Sequence, residues 1–208
     1  GAVRRTSSIN TGRLSELNVL DQINLVTMDL AEITNIQRVI EEVEPDEVYN
    51  LAAQSHVAVS FKNPVYTTQT GTLGSVSLLE AIKNLDKKTK FYQASSSEMY
   101  GGKEEIKLNE KSAFNPLSPY AASKVFAHNM TKLYRESYDL FCVNGILFNH
   151  ESPHRGETFV TRKISRAVAR ISMGIQKKLT LGNLDSSRDW GFAGDYVEGM
   201  WMMMQHDK

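Results

Sequence analysis

The sequence has little of what marks secreted, membrane or nucleic-acid-binding proteins. Its 208 residues include one cysteine, Cys142, so no intramolecular disulfide can form and a reducing compartment is expected. No apolar run approaches the roughly 20 residues that a helix needs to span a bilayer, and the first residues lack the layout of a signal peptide. Lys and Arg number 24, as do Asp and Glu, so the overall charge does not favour nucleic acid or an anionic membrane as a partner. The default expectation is a cytoplasmic protein.

The sequence also lacks the glycine-rich turn with which dinucleotide-binding folds usually begin. Gly1-Ala2-Val3 is typical of the end of a strand and is followed at once by Arg4-Arg5. Such a fold normally supplies a strand, a Gly-rich turn and a helix before that point. No G-x-x-G-x-x-G pattern occurs later, and the sequence stops just after a predicted helix. We therefore expect a chain that is truncated at both ends.

What the sequence does contain is an alternation of strand-like and helix-like segments. Short apolar runs predict strands at 25–28, 47–51, 90–94 and 141–147. Apolar residues spaced by three and four predict helices at 36–43, in one long stretch after Tyr66, from Pro119, at 159–173 and around Met200–Met204. Strands alternating with helices predict an α/β fold with a parallel, doubly wound sheet, which binds ligands at the carboxyl ends of its strands.

The helix predicted to begin at Pro119 carries the first chemical signal. Ser118 is suited to its N-cap, and Tyr120 and Lys124 are four residues apart, so they lie on one face. A nearby ammonium favours the phenolate and lowers the tyrosine pKa, which makes a base suited to a sugar hydroxyl. The apolar face of this helix is predicted to consist of Phe126, Met130 and Leu133.

A second set of polar residues follows the strand predicted at 90–94. Ser96 and Glu98 lie where ligands bind, so the serine can bond the substrate oxygen that Tyr120 deprotonates, and the carboxylate adds a second acid or base. Each feature alone has an ordinary alternative: a solvated helix pair, a serine-rich turn and an exposed charge. All of them at one site favour catalysis.

Five segments extend this interpretation to a known family. They are NLAAQSHV at 50–57, QASSSEMYG at 93–101, SPYAASK at 118–124, NGILFNHESP at 144–153 and GNLDSSRDWG at 182–191. In this order they resemble the GDP-mannose 4,6-dehydratase family of the extended short-chain dehydrogenases/reductases. The first three are shared with related epimerases and dehydratases, whereas the last two are much more specific. The resemblance implies a Rossmann-type doubly wound parallel sheet without its first strand and Gly-rich turn.

The resemblance also implies NADP as the cofactor. Arg4 and Arg5 would hold the adenosine 2′-phosphate, which a guanidinium can grip through two hydrogen bonds. Asp29 and Leu30 would flank the adenine, and residues 51–55 would run under the nicotinamide ribose. The residues implied to contact the cofactor are Arg4, Arg5, Asp29, Leu30, Leu51, Ala52, Ala53, Gln54, Ser55, Tyr66, Tyr120, Lys124, His150 and Arg155.

Catalytic and substrate-binding sets follow from the same resemblance. The implied catalytic residues are Ser96, Glu98, Tyr120 and Lys124. Ser96 stands where the family usually carries threonine, and because the hydroxyl is kept we expect function to survive. The residues implied to bind GDP-mannose are Ser96, Glu98, Tyr120, Asn149, Glu151, Lys163 and Arg188. Residues 1–148 would form the NADP-binding and catalytic core, and residues 149–208 part of a sugar-nucleotide-binding region interleaved with it.

The implied reaction is the dehydration of GDP-mannose to GDP-4-keto-6-deoxymannose by a homodimer or homotetramer. The segment after Arg5 would lie near a neighbouring subunit's cofactor. Glu98 sets this reaction apart from that of a 4-epimerase or a simple reductase, which has no elimination step. Two alternatives stay open at this point. One is another nucleotide-sugar dehydratase or epimerase, for instance on a GDP-heptose. The other is a catalytically silent binding or assembly fragment, because a missing Gly-rich turn would leave the pyrophosphate without its cradle.

Overall fold

Short parallel strands alternate with helices in the computed structural model, which describes residues 1–7, 10–102 and 107–206. The residues divide into two units, one made of 1–147 with 200–208 and the other of 148–199. Within the described ranges, no helix is both long enough and apolar enough to cross a membrane.

The described strands of the first unit are all parallel to their neighbours. They are β1 (Ala2–Val3), β2 (Val26–Thr27), β3 (Glu47–Asn50), β4 (Lys90–Ser96) and β5 (Cys142–Leu147). β1 pairs with β2, and β3-β4-β5 form a second ladder with β4 in its centre. The helices are α1 (Gly12–Glu16), α2 (Ile33–Val43), α3 (Val57–Lys62), α4 (Pro64–Gly71), α5 (Leu73–Lys83) and α6 (Pro119–Tyr138), with 3₁₀ turns at Leu20–Gln22 and Ser97–Tyr100. The predicted α/β class is confirmed.

The core of the first unit lies where helices cover β4. From its second residue onward β4 is buried, as expected of a central parallel strand covered on both faces. α2 packs on α5, and α6 packs on β4 and β5. The buried cluster consists of Leu30, Ile36, Ile40, Leu78, Leu79, Ala81, Ile82, Phe91, Tyr134 and Cys142. Cys142 is thus the small buried residue that its apolar surroundings predict, and burial raises the pKa of its thiol to about 12.

Gly145 in β5 makes room for a buried tyrosine of the neighbouring strand. A Cβ at this position would lie 1.9 Å from the Tyr92 hydroxyl oxygen, and Tyr92 is fully buried. We expect Gly145→Ala to lower the free energy of unfolding by about 1–3 kcal/mol, because the ring has nowhere to move. Urea denaturation of the variant measures this loss.

Gly199 provides the matched control for that substitution. It is helical, and a Cβ there meets nothing within 4 Å. Gly199→Ala should leave stability unchanged or raise it, since alanine favours a helix by about 0.5–1 kcal/mol over glycine. Equal effects of the two substitutions would contradict the packing argument.

α6 begins where the sequence predicts, but buries a different face. The Ser118 side chain caps the helix by accepting from the Ala121 backbone N–H at 3.0 Å, with Pro119 in the first turn. The predicted apolar face holds only in part: Met130 packs against the core, whereas Phe126 and Leu133 are 40% and 45% exposed. The buried face consists of Ala121, Ser123, Lys124, Ala127, Thr131 and Tyr134. Small and polar residues lie there because α6 packs closely on the strand ends and on α4, where a Cβ on Gly71 would lie 2.6 Å from the Ser123 Oγ.

Two further helix predictions hold in part. The single long helix after Tyr66 is two helices, α4 and α5, which meet at Thr72. The last helix, α8 (Ala193–Met204), begins in the second unit and ends in the first. Met200 and Met204 are buried, as predicted for a core-facing pair four residues apart, whereas Trp201 and Met202 are exposed.

The second unit contains two short strands that the sequence did not predict. β6 (Asn149–Glu151) pairs in parallel with β7 (Trp190–Phe192), and α7 (Val160–Ser172) lies between them along the chain. Strands of three residues give too little alternation to be detected by periodicity.

Candidate active site

The candidate active site lies at the carboxyl end of β4. Ser96 is the last residue of the strand, and its Oγ accepts a hydrogen bond from the Glu98 backbone N–H at 3.2 Å. This bond caps the 3₁₀ turn Ser97–Tyr100, which places the half-buried Glu98 directly beyond the strand. Gly101 ends the turn with a φ of 81°, and a Cβ there would lie 2.2 Å from the Asn115 carbonyl oxygen. The backbone therefore fixes the serine and the carboxylate two residues apart at one strand end.

The first turns of α6 bring Tyr120 and Lys124 to the same place. The Tyr120 phenol lies close enough to the Ser96 hydroxyl and to the Glu98 carboxylate for both to influence its pKa. The Lys124 Nζ lies 5.8 Å from the centre of the Tyr120 ring. The structure thus brings together all four residues predicted to be catalytic.

Lys124 is a buried cation that lies near the end of the strand. It is 4% exposed, and its Nζ donates a 2.7 Å hydrogen bond to the Ala94 carbonyl oxygen of β4. Burial lowers the pKa of this ammonium to about 8. An ammonium has three N–H donors, and in the described part of the chain the Nζ has only this one hydrogen-bond acceptor, so it can bind further oxygens.

The pKa of Tyr120 shifts in the opposite direction to the sequence prediction. Burial raises it above its usual value, the Ser96 hydrogen bond lowers it, and the negative charge of Glu98 raises it. Removing the phenol from water penalises the phenolate more than nearby donors favour it. Lys124, which is itself desolvated, does not reverse this effect.

Arg4 and Tyr66, both predicted to contact the cofactor, contact each other. Arg4 follows β1, and its Nη1 donates a hydrogen bond to the Tyr66 hydroxyl on α4. The Arg4 guanidinium also lies 6.0 Å from the centre of the Tyr66 ring. Arg4 and Arg5 are exposed and therefore available to an anion.

The segments after β2 and β3 supply the remaining predicted cofactor contacts of the first unit. The Asp29 carboxylate accepts from the Ala31 N–H at 3.0 Å, which fixes the turn after β2. The Leu30 side chain lies in the core, so only its backbone can face a ligand. Beyond β3, Leu51, Ala52 and Ser55 are exposed, and Ala53 and Gln54 are half-buried. Gln54 holds this turn through its bonds to the His56 backbone, at 2.8 and 3.1 Å.

The other predicted ligand-binding residues lie in the second unit. Asn149 and His150 are half-buried in β6, and the His150 ring stacks on Tyr196 with the ring centres 4.9 Å apart. The His150 Nδ1 lies 2.8 Å from the Phe148 carbonyl oxygen, so this nitrogen carries the proton and Nε2 can accept. Tyr196 reaches the ring because residue 191 is glycine, whose Cβ would lie 2.3 Å from the Tyr196 ring.

The predicted ligand-binding cations of the second unit differ in the contacts that their side chains make. The Arg155 Nε lies 3.2 Å from a Glu151 carboxylate oxygen, and its guanidinium is 3.7 Å from the centre of the Phe159 ring. Lys163 on α7 donates to the Thr180 carbonyl oxygen at 2.7 Å. Arg188 is exposed and contacts the carbonyl of its neighbour, at 2.7 Å, so it is the most freely placed of these cations.

The sequence analysis did not predict a polar network that lies next to the carboxyl end of β4. Ser95 Oγ lies 3.0 Å from His128 Nδ1 and 3.2 Å from Asn144 Oδ1, and Asn144 Nδ2 donates to the His128 carbonyl oxygen at 3.1 Å. A signal was available, because His128 follows Tyr120 by eight residues and Lys124 by four, and therefore shares their helix face.

The chain is similar to proteins of one family along its whole length. A family model described as GDP-mannose 4,6 dehydratase matches residues 1–208. A GDP-mannose 4,6-dehydratase of Vibrio cholerae is 54% identical over 215 residues, which cover 100% of this chain and 58% of that protein. The human GDP-mannose 4,6 dehydratase is 50% identical over 216 residues, again covering 100% of this chain and 58% of its own length.

Solved structures share the fold. RMD from Pseudomonas aeruginosa, complexed with NADPH, superposes with a TM-score of 0.81 at 27% identity, covering 95% of this chain and 69% of that one. The UDP-glucose 4-epimerase of Thermus thermophilus, complexed with NAD, gives 0.78 at 27% identity, covering 91% and 63%. These similarities confirm the predicted Rossmann-type fold.

The similarity covers all of this chain but little more than half of the relatives. The chain spans 58% of the length of the Vibrio and human proteins. The family model nevertheless includes every residue. The chain belongs to the GDP-mannose 4,6-dehydratase family.

Proposed function

We propose that the protein containing this chain converts GDP-mannose to GDP-4-keto-6-deoxymannose. The observation that carries the proposal is the grouping of a phenol, a buried ammonium, a hydroxyl and a carboxylate at the end of β4. A 4-epimerase would need the tyrosine and the lysine but has no elimination for Glu98 to serve. Membership of the family supports the same substrate.

The residues present fit a nicotinamide dinucleotide. The exposed turn 51–55 and Asp29 follow parallel strands, so they lie at the ligand-binding ends of those strands. The free donors of Lys124 suit ribose hydroxyls beside Tyr120. Bound NADP⁺ would accept a hydride from C4 of the sugar and return it to C6.

Tyr120 starts the proposed reaction as a base. Its phenolate takes the proton of the C4 hydroxyl, while Ser96 donates to the same oxygen and holds the sugar in place. The cationic Lys124 stabilises the phenolate, which offsets part of the burial cost. The resulting 4-ketone acidifies the hydrogen on C5.

Glu98 carries out the elimination. Its carboxylate removes the C5 proton and passes it to the C6 hydroxyl, which leaves as water. Tyr120 then gives C5 the proton that it took from the C4 hydroxyl, as the bound dinucleotide would return the hydride to C6. The side chains and the dinucleotide end each cycle unchanged, so no external oxidant is needed.

We propose NADP as the physiological form of the cofactor. Arg4 and Arg5 are exposed just after β1 and can pair with a 2′-phosphate, and the Tyr66 hydroxyl holds Arg4 in place. Titrating the protein with NADP⁺ and NAD⁺ in parallel tests this proposal. Equal affinities for the two would contradict it.

Incubation with GDP-mannose and NADP⁺ tests the function itself. The expected product is lighter than the substrate by one water molecule, without net formation of NADPH. GDP-mannose that remains unchanged, or net NADPH formation in proportion to turnover, would overturn the proposal.

We also propose that the protein is a homodimer that pairs through α6 and its neighbours. Phe126 and Leu133 lie seven residues apart on α6, so they share one face and are exposed, as are Phe61 of α3 and Val65 of α4. Single exposed apolar residues are ordinary, but a group of them on adjoining helices is typical of an interface. These exposed apolar residues are the observation that best supports the predicted homo-oligomer.

Replacing Phe126 with glutamate should dissociate this dimer. A charge in the centre of an apolar interface loses its hydration without gaining a partner, so we expect at least a tenfold weaker dimer. Light scattering after gel filtration measures the mass. Val43→Glu, at an exposed position of α2, is the control. A Phe126 variant with unchanged mass would contradict the proposed interface.

A further inference from the structure

Behind the candidate active site, three polar side chains join the elements that carry it. Ser95 is the neighbour of Ser96 on β4, and it is 3% exposed. His128 lies on α6, two turns after Tyr120, and Asn144 lies on β5. Their hydrogen bonds, of 3.0, 3.2 and 3.1 Å, form a closed ring that we call the Ser95–His128–Asn144 network.

The direction of each hydrogen bond in the network follows from the groups involved. The Asn144 amide nitrogen donates to the His128 carbonyl oxygen, so its Oδ1 must face Ser95. An amide oxygen only accepts, and therefore the Ser95 hydroxyl donates to it. That hydroxyl has one hydrogen, so its contact with His128 requires the imidazole to donate from Nδ1. The network therefore selects the Nδ1–H tautomer of His128.

The surroundings of His128 favour the neutral form of its ring. Burial lowers the pKa of the imidazole, and the positive charges of Arg135 and Lys132, on the same helix, lower it further. The His128 ring also packs against the Phe114 ring in a T-shaped arrangement, with the ring centres 5.1 Å apart. This apolar contact and the hydrogen bonds of the network together hold the neutral ring in one tautomer and one orientation.

We propose that the Ser95–His128–Asn144 network is a positioning device that sets the distance between the Ser96 and Tyr120 hydroxyl groups. This inference rests on the proposed function. The network fixes where Ser95 lies relative to α6, and Ser96 and Tyr120 are attached to the same two elements. Loosening it lets the strand end and the helix shift, which moves the serine hydroxyl away from the phenol.

Such a separation has a chemical consequence. Burial raises the pKa of Tyr120, the interaction with the Ser96 hydroxyl lowers it, and the Glu98 charge raises it. With Ser96 farther away, the phenolate forms only at higher pH. The catalytic rate at neutral pH therefore falls, and the rise of activity with pH moves to higher pH.

Substitutions at His128 separate positioning from packing. In asparagine the amide nitrogen is bonded to Cγ as Nδ1 is in histidine, so His128→Asn can keep the donor, whereas His128→Leu keeps bulk without it. We expect His128→Leu to lower kcat roughly 10- to 100-fold with little change in KM, and to move the pH profile upward. His128→Asn should recover most of the kcat and should return the pH profile towards that of the wild type. His206→Leu, at an exposed histidine, is the control.

Two further measurements keep the test decisive. Ser95→Ala removes one hydroxyl group with almost no loss of volume, so it replaces His128→Leu in the test if that variant does not fold. We expect the same shift of the pH profile to higher pH. NMR of ¹³C,¹⁵N-labelled histidine reports the tautomer without any substrate, and an Nε2–H ring at His128 would overturn the network. Variants with reduced stability but the wild-type kcat and pH profile would overturn the positioning role. Wild-type protein that fails to dehydrate GDP-mannose would instead overturn the proposed function, and the NMR result would stand.

Discussion

Replacing Tyr120 with phenylalanine should reduce turnover of GDP-mannose by roughly 10²–10⁴-fold, the range that a positioned acid or base contributes. The phenol is the group that can take the C4 proton, since Ser96 is a far weaker base and Lys124 acts as a cation. The substitution removes one hydroxyl group and leaves the ring in place. The free energy of unfolding should therefore change by about 1 kcal/mol or less.

Tyr138→Phe is the matched control. It removes a hydroxyl from the same helix, at a residue that is 48% exposed and whose ring packs on Tyr134. Steady-state kinetics and thermal unfolding of both variants give the comparison, and NADP⁺ titration shows whether the site still binds its cofactor. A Tyr120→Phe protein that works within a few-fold of wild type would exclude Tyr120 as the base.

The second large effect is expected at Glu98. Glu98→Gln keeps the size and the backbone bond to Ser96, but an amide cannot take the C5 proton. Oxidation at C4 needs only Tyr120 and the cofactor, so the variant should stop at the 4-ketone. We expect dehydration to fall roughly 10²–10⁴-fold, while enzyme-bound NADPH accumulates in a single turnover instead of being consumed.

Two measurements on one sample check this prediction. Absorbance follows the NADPH that forms, and mass spectrometry follows the loss of water. Glu42→Gln on α2, where the side chain is 67% exposed, is the control. Full dehydration by the Glu98 variant would show that the carboxylate does not carry the elimination, and would reopen the choice between a dehydratase and an epimerase.

Some structural features were predictable because the signals are local. The N-cap at Ser118 depends on one side chain and one backbone N–H three residues later, and the structure has this bond. β3, β4 and β5 were predictable because buried parallel strands are short apolar runs. The spacing of Tyr120 and Lys124 likewise fixes a shared helix face.

Other features depend on groups that are distant in sequence. Nothing around Phe126 or Leu133 indicates that α6 packs through its small residues, because this follows from the closeness of β4 and α4. The raised pKa of Tyr120 is equally non-local, since burial comes from the whole surroundings and outweighs the Ser96 hydrogen bond. The Ser95–His128–Asn144 network joins three elements, so no single segment reveals it.

The sequence by itself determined the alternation of strands and helices, the family and the identity of the residues at the end of β4. These follow from apolar periodicity and from motifs that are each contained in ten residues or fewer. The tertiary structure decided how those residues are arranged: that Tyr120 of α6 comes close to Ser96 of β4, how deeply Lys124 is buried, and which tautomer His128 takes. The physical reason is that pKa values and hydrogen-bond directions depend on desolvation and on partners, and both are set only when separate elements pack together.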